Sequence, residues 1–403
     1  MEVFRTLSTP LEGNYRWLAA ELATLHYAAF CQRVADRDGG GHHREPLSQL
    51  LEKVSSRPPS LGCWTPEASI IFAGIKPPGA APGHIASDDW LRAQALLSGV
   101  ALGLLDDVEL ALDVDQPLLL CGRALSGRLS LQADGERIVV CEADGTRTHW
   151  CRIAERDGAP VWNDEQAPDS FVMRDGRPAI RLVGEGWHAS PWIQDTFRVQ
   201  APSADMAPQI EAALDLLQDI APDHAAWVCC LLKEITPLRR PAANTIASNS
   251  SALRMGGIDL AVPANALETA EMLVHECTHQ YYHMASWLGP TVVPGAGSYY
   301  SPLKHCNRPL DRILLGYHAF GNAMMVFDRM AASGLQEQIR IRWETVAGYL
   351  RELSVPLQDG AELSELGQAL FHPLRARLAA LEFREPVGMN APADTGVAVL
   401  ERV

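Results

Sequence analysis

Apolar and polar positions change their spacing along this 403-residue chain, and each change marks a change of element. "YRWLAAELATLHYAAFCQRVA", "PLSQLLEKVSS" and "DDWLRAQALLSGVALGLLDD" are rich in strong helix formers and predict a helical first third. Between about residues 108 and 185 the runs shorten and partly alternate, as in "RLSLQA", "RIVVCEA" and "THWCRIA". Asp-Gly recurs among them at Asp134-Gly135, Asp144-Gly145, Asp157-Gly158 and Asp175-Gly176. Asp-Gly between such runs is a strong hairpin signal, so this part predicts an antiparallel meander. Helical spacing returns in "APQIEAALDLLQDIAPDHAAWVCCLLKEI", and "NTIASNSSALRMGGIDLAV" reads as strand, turn, strand. A helix ending at Gly289-Pro290 follows, then a loop, a long helix from about Arg308, and a last helical region through "LGQALFHPLRARLAALEF".

The expected fold class is α+β. Residues 1–105 form a helical N-terminal region, and 106–200 a β-rich scaffold or peptide-docking region. Residues 201–385 form a mainly helical catalytic region, with a tail at 386–403.

Composition narrows the partners. A hydrophobic fraction of 47% and a charged fraction of 21% describe a chain able to bury a large core. The net charge of -15 counts against nucleic acid, whose partners carry a basic footprint. No apolar run reaches the ~18 residues of a membrane helix, and the N-terminus lacks the basic-then-apolar pattern of a signal peptide. Nine cysteines without a CxxC fit a cytoplasmic protein with reduced thiols. A homodimer stays open. His42 and His43, in "DRDGGGHHREP", read as a solvated loop.

The chemistry gathers in "EMLVHECTHQYYHMASWLG". Asn265 caps this helix, with Glu268 completing a capping-box-like pair. His275 and His279 then lie roughly 40° apart around the axis and one turn along it, so both imidazoles can grip one ion. Glu276 between them completes an HExxH motif, in which a peptidase uses the glutamate as general base. Chance matches occur on the order of once or a few times per hundred chains of this size. Two core histidines without a shared ion, however, would each need another partner.

The third ligand decides what the ion is. Metzincins need Gly and His at offsets that hold Tyr282 and Ala285 here. A thermolysin-type site needs a glutamate from a following helix, yet no Glu occurs between His279 and Gly334. That interval offers His283, His305 and His318 instead. His283 lies two turns from His275, and His305 lies in the loop "PLKHCNRPL". His318 sits inside an apolar helix and is the favoured third ligand, with the other two left open. A nitrogen-rich triad suits a non-haem iron centre.

"LVHECTHQ" followed by "YYSPLKHCNRPLDRILLGYHAF" resembles the HExxH-type 2-oxoglutarate-dependent peptide β-hydroxylases. These tailor ribosomally synthesised peptides. The resemblance covers residues 245–330, through the motif helix, Ser301-Pro302, Lys304, Arg308-Pro309-Leu310, Gly316 and Ala319-Phe320. The family pattern often has a histidine directly before the helix glycine. This chain has Leu315 there and carries His318 one turn later.

The resemblance implies an iron(II), 2-oxoglutarate and O2 enzyme hydroxylating a precursor-peptide side chain, at Cβ. It implies Arg308, Lys304 or Arg312 as the cation for the far carboxylate of 2-oxoglutarate. Tyr300, beside Tyr299, is a candidate for lining the pocket. Arg254, on the strand pair before the motif helix, is expected to face substrate or cofactor, and that pair is expected to bind an extended peptide by strand addition. Glu276 is expected to hydrogen-bond a ligand or a metal-bound water in such an enzyme. Two rival readings remain: a zinc metallopeptidase with an atypical third ligand, and a non-catalytic metal-stabilised peptide-binding protein.

Overall fold

The computed structural model describes residues 2–37, 44–66, 69, 87–166, 171–184, 198–240, 247–252, 254–262 and 264–381. The His42-His43 loop and the tail at 386–403 lie outside the described residues. The architecture is α+β, as the patterning predicts. Helices α1 (Tyr15–Asp36), α2 (Arg44–Ser56) and α3 (Asp88–Ala101) open the chain. Asn14 caps α1 by accepting from the Trp17 amide, and Ser87 caps α3 from Trp90. Leu22, Phe30, Leu50 and Leu96 pack between them, all buried.

A five-stranded antiparallel sheet follows, its strands neighbouring one another in chain order: β1 (Val108–Leu120), β2 (Arg123–Ala133), β3 (Arg137–Glu142), β4 (Arg147–Arg156) and β5 (Ala159–Asp164). Asp157 (φ 54°) and Gly158 (φ 77°) form the two-residue turn between β4 and β5. Glycine takes that left-handed backbone freely and Asp tolerates it, which is why the pair marks a hairpin. Cys121 (φ 50°) and Gly122 (φ 86°) turn β1 into β2 the same way, a hairpin that Asp-Gly spacing alone does not disclose.

The last Asp-Gly hairpin, β6 (Phe171–Arg174) and β7 (Arg177–Leu182), leaves the meander. It joins a second sheet with β8 (Glu234–Arg239), β9 (Ser248–Ser250) and β10 (Gly257–Val262), in the order β6-β7-β8-β10-β9. That sheet therefore takes strands from both sides of residue 200. β7, β8 and β10 run parallel, and β9 pairs antiparallel with β10 as the edge strand. The parallel step from β7 to β8 needs a long connection. It contains α4 (Met206–Ile220) and α5 (Pro222–Leu231), divided where Pro222 starts the second helix.

The remaining chain is helical: α6 (Ala266–Ser286), α7 (Leu310–Met330), α8 (Gln336–Ser354) and α9 (Glu365–Ala380). The stretch read as a loop between α6 and α7 contains a small hairpin, β11 (Ser298–Ser301) and β12 (Cys306–Pro309). Gly334, at φ 86°, breaks the helical path between α7 and α8. α6 packs against α4, α5 and α7 and against β9 and β10, while α7 packs against α8 and α9. No helix among the described residues is long and apolar enough to cross a membrane. None of the nine cysteines forms a disulfide.

Candidate metal centre

Every residue of α6 from Thr269 to Ala285 is buried. The run includes Glu271, His275, Glu276, Thr278, His279, Gln280 and His283, and polar groups are costly to bury unless partnered. Most have visible partners. Glu271 pairs with Arg342 at 2.5 Å. Thr278 donates to the Val274 carbonyl. Gln280 accepts from the Gly256 amide at 2.6 Å and donates to the Gly257 carbonyl at 2.9 Å, clamping the β9–β10 turn onto the helix. The Glu276 carboxylate Oε1 accepts from Ser248 Oγ, on β9, at 2.6 Å.

The histidines form a cluster. The His275 and His279 rings have centroids 4.6 Å apart and stand perpendicular, with Phe320 edge-on to His275 at 4.7 Å. Burial first, then the nearness of His275, His283, His318 and Arg312, pushes the His279 pKa well below the ordinary imidazole value. Burial, followed by Arg312, lowers His283 to about 4. Burial also lowers His318 to about 4, against the opposing pull of backbone hydrogen bonds. These three rings are therefore neutral at pH 7, the protonation state a metal ligand requires.

His318 is 1% exposed, and its Nε2 lies 2.8 Å from the Ser8 carbonyl oxygen. A carbonyl only accepts, so Nε2 carries the proton and Nδ1 the lone pair. Nδ1 of His318 and Nδ1 of His279 are both buried without a hydrogen-bond partner. Orphaned imidazole nitrogens on the neutral His279 and His318 rings fit a divalent ion in kind. As placed, however, no three His, Cys, Asp or Glu side chains among the described residues surround a single point.

The other expected site residues are distributed unevenly. His305 is exposed, at φ 51° in the β11–β12 turn, with Nδ1 3.3 Å from Tyr300 Oη, outside the cluster. Arg312 is part-exposed, 3.6 Å from Asp311, and its charge reaches His279 and His283. Arg308 pairs across the hairpin with Tyr299. Partial burial, then Arg312, lowers the Arg308 pKa, so the two cations are close enough to repel. Lys304 is part-buried in the hairpin turn. Tyr300, 49% exposed, lines a groove with Tyr299, Glu352, Asp359 and Glu362 that includes none of the histidines.

Arg254 is not turned outward as expected. It is 2% exposed, donates to Asp259 at 2.6 Å and to the Ile258 carbonyl at 2.9 Å, and lies over Gly257, where a Cβ would collide with its Nε. The physical reason is charge: Asp259 on β10 is itself 2% exposed and needs a cation. β9 is the sheet edge, but its residues are only 4–5% exposed, so strand addition there finds little open edge.

Ser8, Ser248, Gln280 and Asn322 escaped the sequence reading. Only Gln280, directly after the motif, carried a positional hint. A search against protein-family models finds no match to this chain, and a search of curated proteins finds none.

Proposed function

We propose that this chain is a non-haem iron(II)- and 2-oxoglutarate-dependent oxygenase that hydroxylates, at Cβ, a side chain of a ribosomally made precursor peptide. The observation that carries the reading is the composition of the cluster. α7, the helix packed on the motif helix, contributes His318 to it and no glutamate. A set of imidazoles without a glutamate departs from the two-histidine, one-glutamate zinc of a peptidase, and imidazole is a ligand that iron accepts. Bound there, iron with its cosubstrate supplies the oxidising chemistry. His275, His279 and His318 are the residues that would hold it, and their side chains would have to close around it, since they do not surround a single point. Arg308 and Arg312, two neighbouring cations beside the cluster, suit a dicarboxylate cosubstrate.

The zinc-peptidase reading has one observation in its favour. Glu276 bonds to an antiparallel edge strand beside the motif helix, a layout such peptidases use. Metal content after purification without added metal, followed by assay with iron(II), 2-oxoglutarate and O2, separates the two. An oxygen-dependent mass gain of one oxygen atom on a co-expressed precursor peptide supports the oxygenase. Full activity with zinc under anaerobic conditions overturns it.

A further inference from the structure

The small hairpin, the end of α8 and the loop before α9 enclose a groove that contains none of the histidines. β11 supplies Tyr299 and Tyr300, and the last turn of α8 supplies Glu352. Val355 and Pro356 follow in the turn after α8, and Asp359 and Glu362 lie in the loop. The groove encloses about 740 Å³, within the ~300–1,000 Å³ of ligand sites. Part of its wall is apolar and open to solvent, with Val355 65% exposed and Tyr300 49%.

Its charge is one-sided. Three carboxylates line it, no Lys, Arg or His does, and none of the three makes an ion pair among the described residues. Glu362 has a structural task. It accepts from Tyr299 Oη and, at 3.2 Å, from the Gly297 amide, which fixes the hairpin against the loop. Asp359 Oδ1 accepts only from the Ala361 amide, at 3.0 Å. Its second oxygen and the Glu352 carboxylate have no hydrogen-bond partner among the described residues. The bond to Glu362, followed by burial and by the charges of Glu362 and Asp359, raises the Tyr299 pKa, so the rings stand in a negative potential.

An aromatic face in such a potential suits a cation, through cation–π contact and charge-assisted hydrogen bonds. A planar guanidinium serves both better than an ammonium group. The apolar wall, and a volume beyond what one side chain fills, fit a peptide that carries the cation.

We propose that this groove binds a peptide segment through an arginine side chain, its guanidinium on Tyr300 and paired with Asp359 and Glu352. Val355 and Pro356 take the apolar residue beside that arginine. The site stands apart from the metal reading, since it uses no histidine and needs no ion. It adds a requirement for a basic residue to any peptide the chain handles.

The test is calorimetric titration of the full chain, in EDTA, with two capped pentapeptides. One is Gly-Leu-Arg-Leu-Gly, and the other has citrulline at the centre, which keeps the shape of arginine without its charge. Exposed ion pairs and cation–π contacts each contribute a factor of about two to five. The arginine peptide should therefore bind about tenfold more tightly than the citrulline peptide, by a margin that shrinks in high salt. Asp359→Asn and Tyr300→Ala, at exposed positions, should keep the wild-type thermal unfolding and each weaken arginine-peptide binding about two- to fivefold. Asp359→Asn should leave the citrulline peptide unaffected. Equal affinity for the two peptides overturns the proposal, as does arginine-peptide binding that both variants leave unchanged. A wild-type chain that binds neither peptide overturns it too. Arginine amide binding as tightly as the pentapeptide overturns the peptide assignment and leaves a site for small cations.

Discussion

Ser248 Oγ, on the edge strand, donates to Glu276 Oε1 on the motif helix at 2.6 Å, with both residues at most 4% exposed. This bond ties the β9–β10 pair to the glutamate of HExxH. Leaving a buried acceptor without its donor costs about 1–3 kcal/mol. Ser248→Ala should lower the urea unfolding free energy by about that amount. A Ser248→Ala/Glu276→Gln double mutant should cost less than the two single changes combined.

The Arg254–Asp259 pair leads to a different expectation from the one the sequence raised. Removing one partner of a buried ion pair costs about 3–5 kcal/mol, since the other charge is left in the core. Arg254→Ala should therefore be among the most destabilising changes near the site, measured by denaturation. A variant of normal stability with selectively weakened substrate or cosubstrate binding would return Arg254 to a binding role.

If the chain uses 2-oxoglutarate as proposed, Arg308 is a candidate for anchoring its far carboxylate. A charge-assisted hydrogen bond contributes about 1.5–3 kcal/mol. Arg308→Ala should raise the 2-oxoglutarate concentration for half-maximal activity about 10- to 150-fold. An unchanged requirement transfers the role to Lys304 or Arg312.

Metal retention should divide the histidines by location. His279→Ala should lose bound iron, while His305→Ala, in the exposed hairpin turn, should retain it. Elemental analysis of both purified variants decides. Iron lost from His305→Ala would bring the hairpin into the site.

Acid stability follows from histidines outside the cluster. Burial lowers His224 to about 4, and burial followed by Arg33 lowers His26, stacked on Trp287, to about 4. Both folded values lie below the unfolded 6.5. The unfolded chain thus takes up protons first as pH falls, and the contribution to stability is whole above 6.5 and lost as pH drops toward 4. At His224 the loss is at most about 3 kcal/mol, and smaller at the part-exposed His26. Unfolding free energies measured at pH 7 and pH 4.5 should differ by a few kcal/mol, and His224→Leu should narrow the gap.

What the sequence determined by itself was local. The Asn265 cap, the Asp157-Gly158 and Asp175-Gly176 turns and the one-turn spacing of His275 and His279 are dictated by backbone sterics and helix period over a few residues. The α+β class followed from summing such signals. Tertiary structure decided which sheet the second of those hairpins joined, because strand order depends on partners more than 50 residues away. It decided that Arg254 faces Asp259, since a buried carboxylate draws the nearest cation inward. It also decided the tautomer of His318, through a carbonyl 310 residues distant. Spacing rules end where the chain folds back on itself, and a hydrogen bond at 2.8 Å depends on distance in space, to which sequence separation is no guide.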